Sequence, residues 1–191
     1  MSIEHNFIQN GKKYSIIYAD PPWTYKASGG KKSARGLAKQ HYNTMSLEDI
    51  MMLPVQEIVA DNCALFLWTT LPKIPEAIKV IEAWGFSYFS AAFVWVKRGR
   101  TGKDAVGMGY WTRANPEICL LAFKGRMKPQ RHDIRQLLYA PARKHSEKPG
   151  EARDKIVQLV GDLPRIELFA RQRAPGWDAW GDEVDRWGDC L

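Results

Sequence analysis

The chain has 191 residues, 45% of them hydrophobic and 26% charged, with a formal net charge of +7 and a mean hydropathy of -0.39. That length suits one domain with a real core, given about 150 residues per domain, so residues 1–191 are read as a single unit. No run approaches the roughly 20 apolar residues of a membrane span. The start, Met1 to Asn6, has no charged head followed by an apolar stretch, so no secretory signal and a cytoplasmic protein are expected.

In chain order, Tyr14 to Ala19 is short, β-branched and aromatic and stops at Pro21-Pro22, the pattern of a buried strand. Ser46 is placed as a helix N-cap, with Glu48 and Asp49 in the first turn. Pro54 divides the segment that runs to Ala60 into two short helices. Ala64 to Thr69 is a second strand. Ile74, Ile78, Ile81 and Trp84 recur at helical spacing, and Gly85 ends that helix. Ala91 to Val96, Glu117 to Phe123 and the weaker Gln136 to Ala140 are the third to fifth strands. Pro149 to Gly161 reads as a helix with Ile156, Leu159 and Val160 on one face, and Arg165 to Ala170 as a sixth strand. Near-continuous apolar strands alternating with helices predict an α/β fold, a mostly parallel sheet covered on both faces.

Segments 24–44 and 97–116 stand outside this pattern as long irregular loops, the kind that carry function. They also belong to the most basic parts of the chain. Lys97 to Lys148 holds thirteen Lys/Arg against four Asp/Glu, and Lys12 to Lys39 holds seven against Asp20 alone. Basic blocks on an acidic remainder fit a polyanionic partner, because Lys and Arg displace counterions from phosphates; solvated loops have the same composition. Cys63, Cys119 and Cys190 form no CxxC pair and no zinc pattern, so no disulfide framework and no metal are expected. Cys63 and Cys119 adjoin apolar runs and read as buried thiols.

The segment with a chemical reading is Asp20-Pro21-Pro22-Trp23. It lies at the carboxyl end of a strand, where open α/β sheets bind ligands. Two prolines fix φ, contribute no N–H and stiffen the turn. The result is a row of acceptors, the Asp20 carboxylate and a main-chain carbonyl, beside an aromatic plane. The lone pair of an aromatic amino group is delocalised into its ring. Two acceptors on its hydrogens favour a more tetrahedral nitrogen, while positioning aligns nitrogen, methyl carbon and leaving group. By itself, Asp-Pro-Pro is equally a turn signal.

Asp-Pro-Pro-Trp after a short apolar strand resembles the MT-A70 family of adenine-N6 methyltransferases. The resemblance extends through His41 to Glu48, Leu65 to Trp68, Phe93 to Lys97, Gly109 to Glu117, His145 to Pro149, Ile166 to Arg171 and Pro175 to Glu183. It implies a Rossmann-like fold in permuted order, with the catalytic motif before the donor site, and S-adenosylmethionine as methyl donor. Asp20 would bind the donor's ammonium group and accept from the target N6. Pro21 would add a carbonyl, Pro22 would stiffen the turn and Trp23 would pack on the base. Arg171 would contact the donor's ribose or carboxylate, and Asp182 and Glu183 its ribose hydroxyls. Asn6 and Phe7 are weaker candidates for its adenine end, and Arg173 stands where relatives carry His. Asp182 stands where the family often has Asn. Pro116 replaces a Lys of some relatives, which leaves Arg113 to bind an anion.

Tyr25, Lys31, Lys32, Arg35, Tyr42, Lys97, Trp111, Arg113, Asn115, His145 and Lys148 are the candidates for substrate contact. For most of them packing or loop solvation is the competing reading. Trp177 and Trp180 are expected to pack the C-terminal turn. The partner expected is nucleic acid, DNA ahead of RNA, its adenine flipped or single-stranded. A homodimer or a heteromeric partner is open, and a catalytically silent binding subunit is the alternative from another class. An N4-cytosine enzyme would carry Ser in place of Asp20.

Overall fold

The computed structural model describes residues 11–25, 44–99, 101–107, 111–142, 147–181 and 184. Strands β1 (Tyr14–Ala19), β2 (Val59–Thr69), β3 (Ser87–Arg98), β4 (Glu117–Lys124), β5 (Leu137–Pro141), β6 (Arg165–Leu168) and β7 (Asp178–Trp180) form one sheet in the order β5-β3-β4-β2-β1-β6-β7. β1 pairs in parallel with β2 and β6, β3 with β5, and β6 with β7. Among the described strands only β4 runs antiparallel to its neighbours, β2 and β3. No described helix lies between β3 and β4 to carry the chain back along the sheet, so β4 descends where β3 rose.

Alternation along the strands sends side chains to two faces. Leu65 and Leu67 join the cluster capped by Ile50 of α1 (Leu47–Met51), Val55 of a short 3-10 turn (Val55–Glu57), and Ala77, Val80 and Ile81 of α2 (Ile74–Ala83). Ala64, Phe66 and Trp68 join the opposite cluster, covered by Ala152, Ile156 and Val160 of α3 (Glu151–Val160). The expected α/β sheet with helices on both faces is therefore borne out.

Local signals hold as well. Ser46 caps α1, its hydroxyl accepting the Asp49 N–H at 3.0 Å. α2 is followed by Gly85 at φ 81°, a left-handed position that favours glycine. Cys63 and Cys119 are free and fully buried, and burial pushes the Cys63 thiol up to about 12. Trp177 and Trp180 are buried. Among the described residues no helix is long and apolar enough to cross a membrane.

Two expectations need correction, and one strand lies beyond those expected. The described residues of segment 97–116 are not structureless: β3 extends to Arg98, and described residues beyond it are tied down by backbone bonds such as Gly99 N–H to Lys103 O at 2.7 Å and Ala105 N–H to Lys97 O at 2.8 Å. β6 stops at Leu168 rather than Ala170 because Phe169 turns left-handed, φ 61°. That conformation costs a non-glycine residue roughly 1–3 kcal/mol. The additional strand is β7, only three residues long, a run too short to carry a recognisable period.

Candidate active site

β1, β2, β3, β5, β6 and β7 point their carboxyl ends at one edge of the sheet, and β4 begins there. That edge collects Asp20 after β1, Thr70 after β2, Lys97 at the end of β3, Glu117 at the start of β4, Lys148 before α3 and Arg171 after β6. Asp20 sits centrally, after the strand flanked by both β2 and β6, where an open sheet leaves a crevice.

The Asp20 turn is held from several sides. Trp23 donates its main-chain N–H to Pro21 O at 2.9 Å, a three-residue γ-type turn around Pro22. Met45 N–H reaches Pro22 O at 3.0 Å, and Thr24 Oγ1 reaches Met45 O at 2.6 Å. The carbonyls expected to stand ready for substrate are thus each engaged once, and each keeps a second lone pair. Trp23 is 7% exposed and donates Nε1–H to Trp68 O at 3.1 Å. In this conformation its ring is core packing that fixes the turn, with little surface left for a base.

The carboxylate belongs to a buried charge network. Lys148 Nζ lies 2.6 Å from Asp20 Oδ2 and 3.1 Å from Glu117 Oε2, and Lys97 pairs with the other Glu117 oxygen. Side-chain exposures are 18% for Asp20, 9% for Lys148 and 8% for Glu117. Both lysines stand over indoles: Lys148 Nζ is 5.7 Å from the Trp68 ring centre and Lys97 Nζ 5.1 Å from that of Trp95. Trp68 in turn donates Nε1–H to Tyr18 Oη at 2.7 Å.

The two carboxylates differ. Burial pushes both up, but at Glu117 the adjacent Lys148 and Lys97 outweigh it and hold the group below its usual range. At Asp20 burial wins over the opposing Lys148 and Arg171, with Glu117 adding to the rise. Burial alone would depress Lys148; Asp20 and Glu117 outweigh it and raise it, so it stays charged. Asp20 is thus the carboxylate of the pair held above its usual range, and Glu117 the one held below.

Beside this network a cavity of about 250 Å³ opens between Thr70, Pro72, Lys97, Val106, Asn115 and Glu117. Tyr25 borders the region, its hydroxyl 2.7 Å from Thr70 Oγ1. Asn115 donates Nδ2 to Lys97 O at 3.0 Å and to Ala105 O, while its Oδ1 is buried without a hydrogen-bond partner. The structure therefore brings Asp20, Pro21, Tyr25, Lys97, Asn115, Lys148 and Arg171 to one edge. Arg173, Trp111 and Arg113 are exposed. Asn6, Phe7, Lys31, Lys32, Arg35, Tyr42, His145, Asp182 and Glu183 lie outside the described residues. Sequence reading did not single out Glu117. The available signal was a carboxylate at the mouth of the apolar run Ile118 to Phe123.

The chain matches the MT-A70 family over residues 14–183. It belongs to that family. It is 38% identical to the Type II methyltransferase M.MunI of a Mycoplasma species, over 91% of this chain and 78% of that protein. It is 29% identical to the N(6)-adenine-specific methyltransferase METTL4 of Homo sapiens, and 26% identical to the N6-methyladenosine RNA methyltransferase MTA1 of Cryphonectria parasitica. It spans 38% and 54% of the length of those two.

Proposed function

We propose that this protein transfers a methyl group from S-adenosylmethionine to N6 of adenine in DNA, the base being flipped or single-stranded, with the chain working as one methyltransferase domain in the cytoplasm. The observation that carries the reading is Asp20, a buried carboxylate at the central strand end, gripped by Lys148 at 2.6 Å, with Lys148 and Arg171 both opposing the rise that burial causes in its pKa. DNA is favoured because identity is 38% to the bacterial Type II methyltransferase and 26% to the fungal protein named for RNA.

The charges present suit the donor's amino-acid end, which is a zwitterion: Asp20 offers an acceptor for its ammonium, and Arg171 a cation for its carboxylate. Arg173, Asp182 and Glu183 complete the donor set toward the ribose, with Asn6 and Phe7 toward its adenine. When bound, the donor supplies an electrophilic methyl on sulfur. The chain's own task is to prepare the nucleophile. Asp20 and the second lone pair of Pro21 O accept from the amino hydrogens and turn the nitrogen lone pair toward the methyl. Pro22 and Trp23 hold the turn rigid. Lys148 keeps Asp20 ionised, and Lys97, by neutralising Glu117, leaves Lys148 to Asp20. Tyr25, Tyr42, Asn115 and His145 face the base, while Lys31, Lys32, Arg35, Trp111 and Arg113 meet the strand that carries it.

The test is transfer of labelled methyl to matched DNA and RNA, single- and double-stranded, followed by nucleoside mass analysis. N6-methyladenine in DNA is expected, and its loss in Asp20→Ala. Donor binding without transfer to any polynucleotide would sink the reading.

A further inference from the structure

The described residues between β3 and β4 (99, 101–107 and 111–116) are cross-linked by short contacts. Arg98 pairs with Asp104 at 2.7 Å, Gly102 N–H bonds Gly99 O at 3.0 Å, and Gly107 N–H bonds Ala114 O at 2.7 Å. Asn115 adds its amide bonds to the carbonyls of Lys97 and Ala105. Trp111 is 100% exposed and Val106 73% exposed. Arg113 is exposed as well, and Lys103 with it.

A fully hydrated indole has a large apolar area still to bury, and buried aromatic area dominates the energetics of interfaces. Its location limits what can cover it. Trp111 is three residues from Ala114, which lines the cavity beside Glu117, and three residues reach at most roughly 11 Å. Bases stack about 3.4 Å apart along a strand, so the ring lies within a few base steps of an adenine entering the site. The cationic surroundings suit phosphates on either side.

We propose that Trp111 enters the gap that the target adenine leaves when it is extruded from a duplex, stacking on the bases that flanked it. The inference rests on the methylation reading above. Extrusion breaks stacking on both faces of the adenine. A two-ring aromatic within roughly 11 Å of the cavity lining can restore part of it, as inserted apolar side chains do at other distorted base steps. Base–aromatic stacking changes affinity by about 5- to 150-fold on alanine substitution.

The experiment compares the wild type with Trp111→Ala and Trp111→Phe. Affinity is measured for an intact duplex and for the same duplex with one abasic site, a preformed gap. Methyl transfer is measured on duplex and on single-stranded DNA. The wild type is expected to prefer the abasic duplex by about tenfold or more. Trp111→Ala loses that preference, and Trp111→Phe keeps most of it. The ratio of kcat/KM on duplex to that on single strand is expected to fall about tenfold in Trp111→Ala. Equal binding of both duplexes by the wild type, a preference retained in Trp111→Ala, or equal losses on both substrates would overturn the proposal. The affinity comparison needs no methyl transfer, so a failed activity reading leaves it able to decide.

Discussion

Replacing Lys148 with Met tests the charge network most directly. The methylene stem survives, but Asp20 loses its cation at 2.6 Å and Glu117 loses one of two, at 3.1 Å. All three side chains are mostly buried, and removing one partner of a buried pair costs roughly 3–5 kcal/mol because the other is left uncompensated. For a chain of this size each kcal/mol moves Tm by about 2–4 °C, so a fall of roughly 6–20 °C at neutral pH is expected by calorimetry. The pH dependence adds a signature. With a folded pKa above the unfolded one, Asp20 contributes stability that is fully present below the unfolded value and lost as pH rises through the folded value. Lys148 is a force lowering the Asp20 pKa, so its removal raises that pKa further. The deficit in Tm should therefore shrink as pH falls below the new Asp20 pKa. Activity should move the opposite way, with the acid limb of kcat/KM displaced to higher pH and part of the lost rate regained there. A variant with unchanged Tm and an unchanged acid limb would refute the assignment of Lys148 as the group that keeps Asp20 ionised.

Lys97→Met should shift the same acid limb upward by a smaller amount, since Glu117 then draws Lys148 away from Asp20; a pH–rate profile beside the wild type checks it. Gly181→Ala places a Cβ 2.6 Å from Ala170 N and 2.8 Å from the Phe169 carbonyl carbon. A loss of about 1–3 kcal/mol and weaker S-adenosylmethionine binding by titration calorimetry are expected, because Arg171 follows directly. Arg153→Met leaves Glu167 buried without its bidentate partner, held at 2.6 and 2.9 Å, and should lower stability by roughly 3–5 kcal/mol in urea unfolding.

Strand and helix positions were legible because burial here follows simple periods. β1, β2 and β4 are nearly continuous apolar runs, and α2 and α3 carry one apolar stripe each. The direction of β4 was less open to reading, since an apolar run has no polarity. What decides it is the lack of a described helix between Arg98 and Glu117. The left-handed Phe169 had no local signal at all: it is a bulky aromatic held there by tertiary contacts, with Ala170 N–H bonded to Trp180 O at 2.9 Å and the two rings 5.4 Å apart. Asp20 could be placed at a strand end from its prolines. Its partners could not, because Glu117 and Lys148 are separated from it by 97 and 128 positions and meet only once the sheet is assembled.

That assembly also explains why one carboxylate, and not the other, is suited to the chemistry. In the reaction proposed above, methyl transfer to the amine moves positive charge from sulfur to nitrogen, so the nitrogen's acceptor must be ionised when charge arrives and must be able to take a proton afterwards. Glu117, flanked by two lysines and held below its usual range, meets the first condition and resists the second. Asp20 shares a single lysine and is raised by burial, so it can meet both. The pair Lys97 and Glu117 is therefore a neutral backing that prevents Lys148 from being divided equally between two anions. In Glu117→Gln the full charge of Lys148 would fall to Asp20. Its pKa would drop, the acid limb of kcat/KM would extend to lower pH, and maximal kcat would decline as the better-stabilised carboxylate became a weaker base. An acid limb that moved upward instead would show that Glu117, not Lys148, sets the ionisation of Asp20.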